Sequence, residues 1–136
     1  MPTEITRKVV ADYVAALQAG DTEALRNAFA ADGTWTLRGD VPVAGVWTGA
    51  DEIFDGFLAQ LVAHLDVSAG VTQTLHRIVA DGDYGLAEWT SRATALSGEP
   101  YVNDVAVVFH VVDGKIASAR EYTDTSYLQR VLFGGL

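Results

Sequence analysis

The sequence contains no cysteine, which excludes disulfides, thiolate nucleophiles, iron–sulfur clusters and cysteine-held zinc together. Basic residues are scarce: 9 Lys and Arg stand against 18 Asp and Glu, a formal charge of −9. A phosphate backbone needs a basic stripe and an anionic lipid surface needs a basic patch. Neither is present, so nucleic acid and membrane are not expected partners. No apolar run approaches the roughly 18 residues of a membrane span. The opening segment MPTEITRKVV has no apolar signal region, and a cytoplasmic location is expected. What the chain does have is apolar content. Of its 136 residues 49% are hydrophobic, enough for one domain with its own core and far too many for disorder. A single domain over residues 1–136 is the expectation.

The first half has helical periodicity. Ile5, Val9, Tyr13 and Ala16 or Leu17 recur at helical spacing until Gly20 stops the run. Asp21 caps a second, shorter helix with Leu25, Ala28 and Phe29 on one face, and Asp32-Gly33 breaks it. Thr34 to Arg38 is a short strand, and Gly39 to Trp47 is a loop with a little strand. A third helix starts near Thr48, whose spacing to Asp51 resembles a capping box. Its stripe is Ile53, Phe57, Leu61 and Leu65, widened by Phe54 and Leu58.

After Gly70 the period changes to two. Val71–Ala80, Tyr84–Leu96, Tyr101–Val112 and Lys115–Thr123 are strands, with turns at Asp81-Gly82 and Asp113-Gly114. Thr125–Leu132 is a closing helix, with Asp124 as its N-cap or, less simply, a functional acid. Helices followed by an antiparallel meander give an α+β fold. Tyr101–Val112 is apolar on both faces, which implies cover on both sides. A homodimer through the outer sheet face is the economical source of the second cover.

Alternation assigns the faces. Trp89, Ser91 and Ala93 share one side of their strand, and Glu88, Thr90 and Arg92 share the other. Asn103, Val105, Val107 and Phe109 share one side of the next. In the last strand Ala117, Ala119, Glu121 and Thr123 alternate with Ser118, Arg120 and Tyr122. Glu88, Arg92 and Arg120 are expected to pair on the outer face. Glu121 then points inward, an acid directed into an apolar layer.

The stretches GDTEALRNAFAADGTW, GADEIFDGF, SGEPYVNDVAVVF and DGKIASAREYTDT resemble the SnoaL-like superfamily. This is the cone-shaped fold shared with nuclear transport factor, ketosteroid isomerases and limonene epoxide hydrolases. The resemblance implies a curved antiparallel sheet wrapped with three helices around an apolar pocket. Tyr13 matches the isomerases' oxygen-donating tyrosine, but their general-base aspartate falls on Leu37 and their second pocket acid near Val107. The epoxide hydrolases' arginine and first aspartate fall on Trp89 and Ser91, and their pocket tyrosine and asparagine on Trp35 and Leu37. Their second acid survives as Glu121. The polyketide cyclases' acid on the last strand also aligns with Glu121, so the cyclase comparison loses least.

Two functional classes follow. One is an enzyme using Glu121 as acid or base, helped by Tyr13, on a small apolar carbonyl or ring compound. Trp35, Leu37, Phe54, Phe57, Trp89, Val105, Ala119 and Leu128 would line its pocket, with Ser91 and Asn103 as polar anchors. The other is a binding or association module in which Glu121 is merely a buried acid and Tyr13 a core residue. Trp35 and Trp89 fit either a core or a ligand wall, and Asn103 either a bulge or a polar anchor. His64, His76 and His110 lack carboxylates at metal-ligand spacing, and the glycines spell no phosphate loop. No metal or cofactor is expected.

Overall fold

The computed structural model describes residues 2–134. Helix α1 (Pro2–Ala19) leads into α2 (Thr22–Asn27), β1 (Phe29–Leu37) and β2 (Gly45–Thr48). A π-helix (Asp51–Leu58) continues into α3 (Ala59–Val62), and a short 3-10 turn (Val67–Ala69) precedes the meander. The meander is β3 (Thr72–Asp81), β4 (Tyr84–Thr94), β5 (Pro100–Val112) and β6 (Lys115–Thr123), closed by α4 (Thr125–Leu132). The architecture is α+β: a curved, unclosed six-strand sheet in the order β2-β1-β6-β5-β4-β3, with the helices packed against it.

The local reasons are legible. Asp21 accepts from Ala24 N at 3.1 Å to cap α2, and Asp124 accepts from Tyr127 N at 3.0 Å to cap α4. Asp113 (φ 52°) and Gly114 (φ 75°) give the β5–β6 hairpin the two positive φ angles that match strand twist. The first turn of α1 is tied to the β3–β4 turn: Thr6 donates to Gly82 O at 2.7 Å, and Gly82 N donates to Thr3 Oγ1 at 2.9 Å. Gly85 lets α1 settle there, because a Cβ on it would lie 2.9 Å from Val10 Cγ2.

Several expectations are corrected. The buried face of α1 is Thr6, Val10, Tyr13 and Val14, which leaves Ile5 half exposed. The Thr6 bond to Gly82 fixes that rotation. Helix α2 ends at Asn27, so Phe29, Asp32 and Gly33 belong to β1, where pairing with β6 shifts register between Phe29 and Thr34. The helix after β2 has Ala50 as its N-cap residue and no side-chain cap, so there is no Thr48–Asp51 box; Glu52 Oε1 accepts instead from the N–H of Thr48 at the end of β2, at 2.9 Å. That helix ends at Val62, short of Leu65, which bridges Ala95 instead. The sheet is antiparallel except that β1 joins β6 in parallel. On its outer face Val102 is 46% exposed and Val112 44%, so no other described residue of the chain covers them.

Candidate functional site

Strand β6 alternates Ile116 and Ala119 inward, with a register shift near His110 and Val111, and carries Glu121 to the inner face. There its Oε1 accepts a hydrogen bond from Trp35 Nε1 at 3.0 Å. Glu121 is partly accessible and lines the cavity. Burial pushes its carboxyl up from the ordinary 4.5 to about 7, while the Trp35 hydrogen bond pulls the other way. An indole is a neutral donor, so it stabilises the carboxylate less than a guanidinium would.

The cavity holds about 490 Å³, within the range of small-molecule sites. Its inner wall is built from buried aromatics: Trp35, Phe54 and Phe57, facing Trp89 and Tyr101. Tyr13 of α1 joins them and packs on Trp35 at a ring-centroid distance of 6.1 Å. Trp35 in turn meets Phe57 at 6.0 Å. Burial first, and the nearby Glu121 second, push the Tyr13 phenol well above its usual range, so it is always protonated and can donate. Burial likewise pushes Tyr101 up to about 12. The outer part of the cavity is edged by Gln18, Gly20, Thr22, Val62, Val71 and Gln73.

Of the residues expected at the site, the structure brings together Tyr13, Trp35, Phe54, Phe57, Trp89, Ser91, Val105, Glu121 and Leu128. Three lie outside the lining. Leu37 is 1% exposed and packed in the closed core, outside the lining. Ala119 is fully buried between Trp35 and Phe109 on the neighbouring strands, where its small side chain makes room for theirs. Asn103 is outside the lining: its Nδ2 donates to Tyr101 Oη at 2.9 Å and to Asp124 O at 3.1 Å, which pins the start of α4. Ser91 does line the cavity, but its hydroxyl oxygen accepts from Trp89 Nε1 at 3.1 Å instead of meeting Glu121. Neither Tyr13, Ser91 nor Asn103 is the partner of Glu121; that partner is Trp35. Leu17, Gln18, Ile53, Leu61, Gln73 and Tyr101 were not anticipated. The i, i+4 spacing of Tyr13 and Leu17 was the available signal for Leu17.

The outer face carries its own set of polar contacts. Glu88 pairs with Arg77 rather than with Arg92 or Arg120, which donate to Thr74 and Tyr122. The bulge between Leu75 and Arg77 brings Arg77 opposite Glu88. His76 Nε2 lies 2.7 Å from Thr90 Oγ1, which donates to Asp104 Oδ1 at 2.7 Å. His64 contacts the Phe133 ring, and His110 stacks on Tyr84.

Residues 10–119 match the family model of the SnoaL-like domain. The chain belongs to that family. The chain is 28% identical to an NTF2-like protein from Burkholderia thailandensis, covering 93% of this chain and 95% of that one, with a TM-score of 0.83. An NTF2-like protein from Burkholderia xenovorans is 26% identical over 97% of this SnoaL-like chain and 98% of its own, with a TM-score of 0.75. A putative SnoaL-like polyketide cyclase from Jannaschia sp. shares the fold at 12% identity (99% and 96% covered, TM-score 0.78). A search of curated proteins finds no match. No helix among the described residues is long and apolar enough to cross a membrane.

Proposed function

We propose that this SnoaL-like protein is a small-molecule enzyme, most like a polyketide cyclase or isomerase, that moves a proton through Glu121. The substrate would be an apolar carbonyl or ring compound. The observation that carries this reading is a carboxyl at an aromatic cavity with only an indole for a donor and an ionisation near neutrality. An acid of that strength suits transfer in both directions at neutral pH. As a carboxylate it takes a proton from the carbon next to a carbonyl. As an acid it returns the proton to the enol at another atom, with the Tyr13 phenol available to donate to the oxygen. The aromatic wall keeps water from competing.

The test is α-proton exchange of 2-tetralone in D2O, followed by NMR. The wild type should accelerate exchange, and Glu121→Gln should stay folded, bind the ketone and lose the acceleration. Undiminished exchange in that variant overturns the assignment. A second reading, a binding module without catalysis, is favoured by the apolar residues Leu37 and Val107 at the isomerase acid positions. It predicts binding of the ketone with no exchange in either protein. We also propose a homodimer through the outer sheet face, supported by the half-exposed Val102 and Tyr122 there.

A further inference from the structure

Glu121 is the one charged side chain among the described residues that line the cavity; no Lys, Arg or His shares it. Its Oε1 takes the Trp35 hydrogen bond, and no described residue donates to Oε2. Trp35, Tyr13 and Tyr101 lie near it, and Phe57 and Trp89 line the same cavity. Aromatic faces carry negative potential and attract cations, more strongly where water is excluded. A carboxylate walled by aromatic rings and left without a cation of its own has the composition of a counter-ion site. The chain's net charge of −9 favours the approach of cations as well.

We infer that the cavity also binds organic cations: a tertiary or quaternary ammonium on an apolar ring skeleton, its nitrogen beside Glu121 and its methyl groups against the aromatic wall. This rests on the reading of the cavity as the ligand site with Glu121 as its polar anchor, and it adds a charge class that the carbonyl chemistry does not require.

The groups facing Glu121 are Tyr13 from α1, Trp35 from β1 and Tyr101 from β5. Both phenols are pushed upward by burial and stay protonated between pH 5 and 8. Among the residues lining the cavity, Glu121 is therefore the one that changes charge over this range. A cation needs the carboxylate, so its affinity should rise about tenfold per pH unit below the carboxyl's own ionisation and level off above it. A neutral ketone that accepts the Glu121 proton should show the opposite trend.

The probes are 2-(dimethylamino)tetralin, whose tertiary amine stays protonated throughout this range, and 2-tetralone on the same skeleton. Binding is read by calorimetry from pH 5 to 8. The expected result is amine affinity rising with pH to about 7, and at least a tenfold loss with a flat profile in Glu121→Gln. A flat amine profile in the wild type, or equal amine binding by Glu121→Gln, overturns the inference. The wild-type profile decides the matter even if the variant does not fold. Tetralone exchange without amine binding removes this inference and leaves the proposed function standing. Amine binding with the expected profile and no tetralone exchange does the reverse. If neither compound binds, both readings fall.

Discussion

Leu37 and Glu121 are Cα partners in the parallel register of β1 and β6, yet only Glu121 reaches the cavity. Leu37 is sealed in the core, while Trp35, two residues earlier on the same strand, reaches across to the carboxyl. The pocket acid is thus held by a strand neighbour and not by the first helix.

That arrangement gives folding a pH dependence. In the unfolded chain the carboxyl ionises near 4.5, and in the folded chain near 7. Between these values the folded state keeps a proton that the unfolded state has released, so this group's effect on stability worsens as pH rises and levels off above about 7. The size is about 3 kcal/mol. Urea unfolding of Glu121→Gln and wild type at pH 4.5 and pH 8 should show the variant gaining by that order across the range. A constant difference between the two proteins would contradict it.

Trp35→Phe removes the hydrogen bond that lowers the Glu121 ionisation. The carboxyl should then titrate above the wild-type value of about 7, read from its side-chain NMR shift. An unchanged midpoint would mean the indole does not hold the acid.

Leu37→Ala and Ala93→Phe should separate core from cavity. The first empties a closed site and should cost ~2–5 kcal/mol with ligand affinity largely kept. The second adds a ring at a cavity-lining position and should cut ligand affinity at least tenfold with a smaller stability loss. Denaturation and calorimetry on both variants check this, and a reversed pattern would move Leu37 into the site.

Thr90 is 5% exposed and joins His76 to Asp104 across three strands. Thr90→Val should cost ~1–3 kcal/mol by breaking both hydrogen bonds, with tetralone binding unchanged. Urea unfolding measures the first and calorimetry the second.

Light scattering tests the proposed dimer. Wild type should have the mass of two 14.5 kDa chains at micromolar concentration, and Val102→Lys on the outer face should shift it toward one.

The inward aim of Glu121 was legible because a strand's period of two leaves no freedom once Ala119 is placed inside. Its partner was not, since period says nothing about which strand lies beside β6. The parallel return of β1, which delivers Trp35, leaves no trace in local pattern. Asn103 fell to the same limit: it shares a face with Val105, but the start of α4 lies within reach and takes its hydrogen bonds. The caps at Asp21 and Asp124 were readable because a cap involves only a few neighbouring residues.

The parallel pairing of β1 with β6 also bears on how the chain folds. Hairpins join β3 to β4 and β5 to β6 through two-residue turns, so the meander assembles from neighbours in sequence. Trp35 and Glu121 are 86 positions apart, and their meeting needs the closure of a long loop. Contacts of that separation are slow to form relative to local ones. In refolding, the indole signal of Trp35 should therefore lag the backbone signal of the strands, and the pocket acid should acquire its shifted ionisation only in that late step.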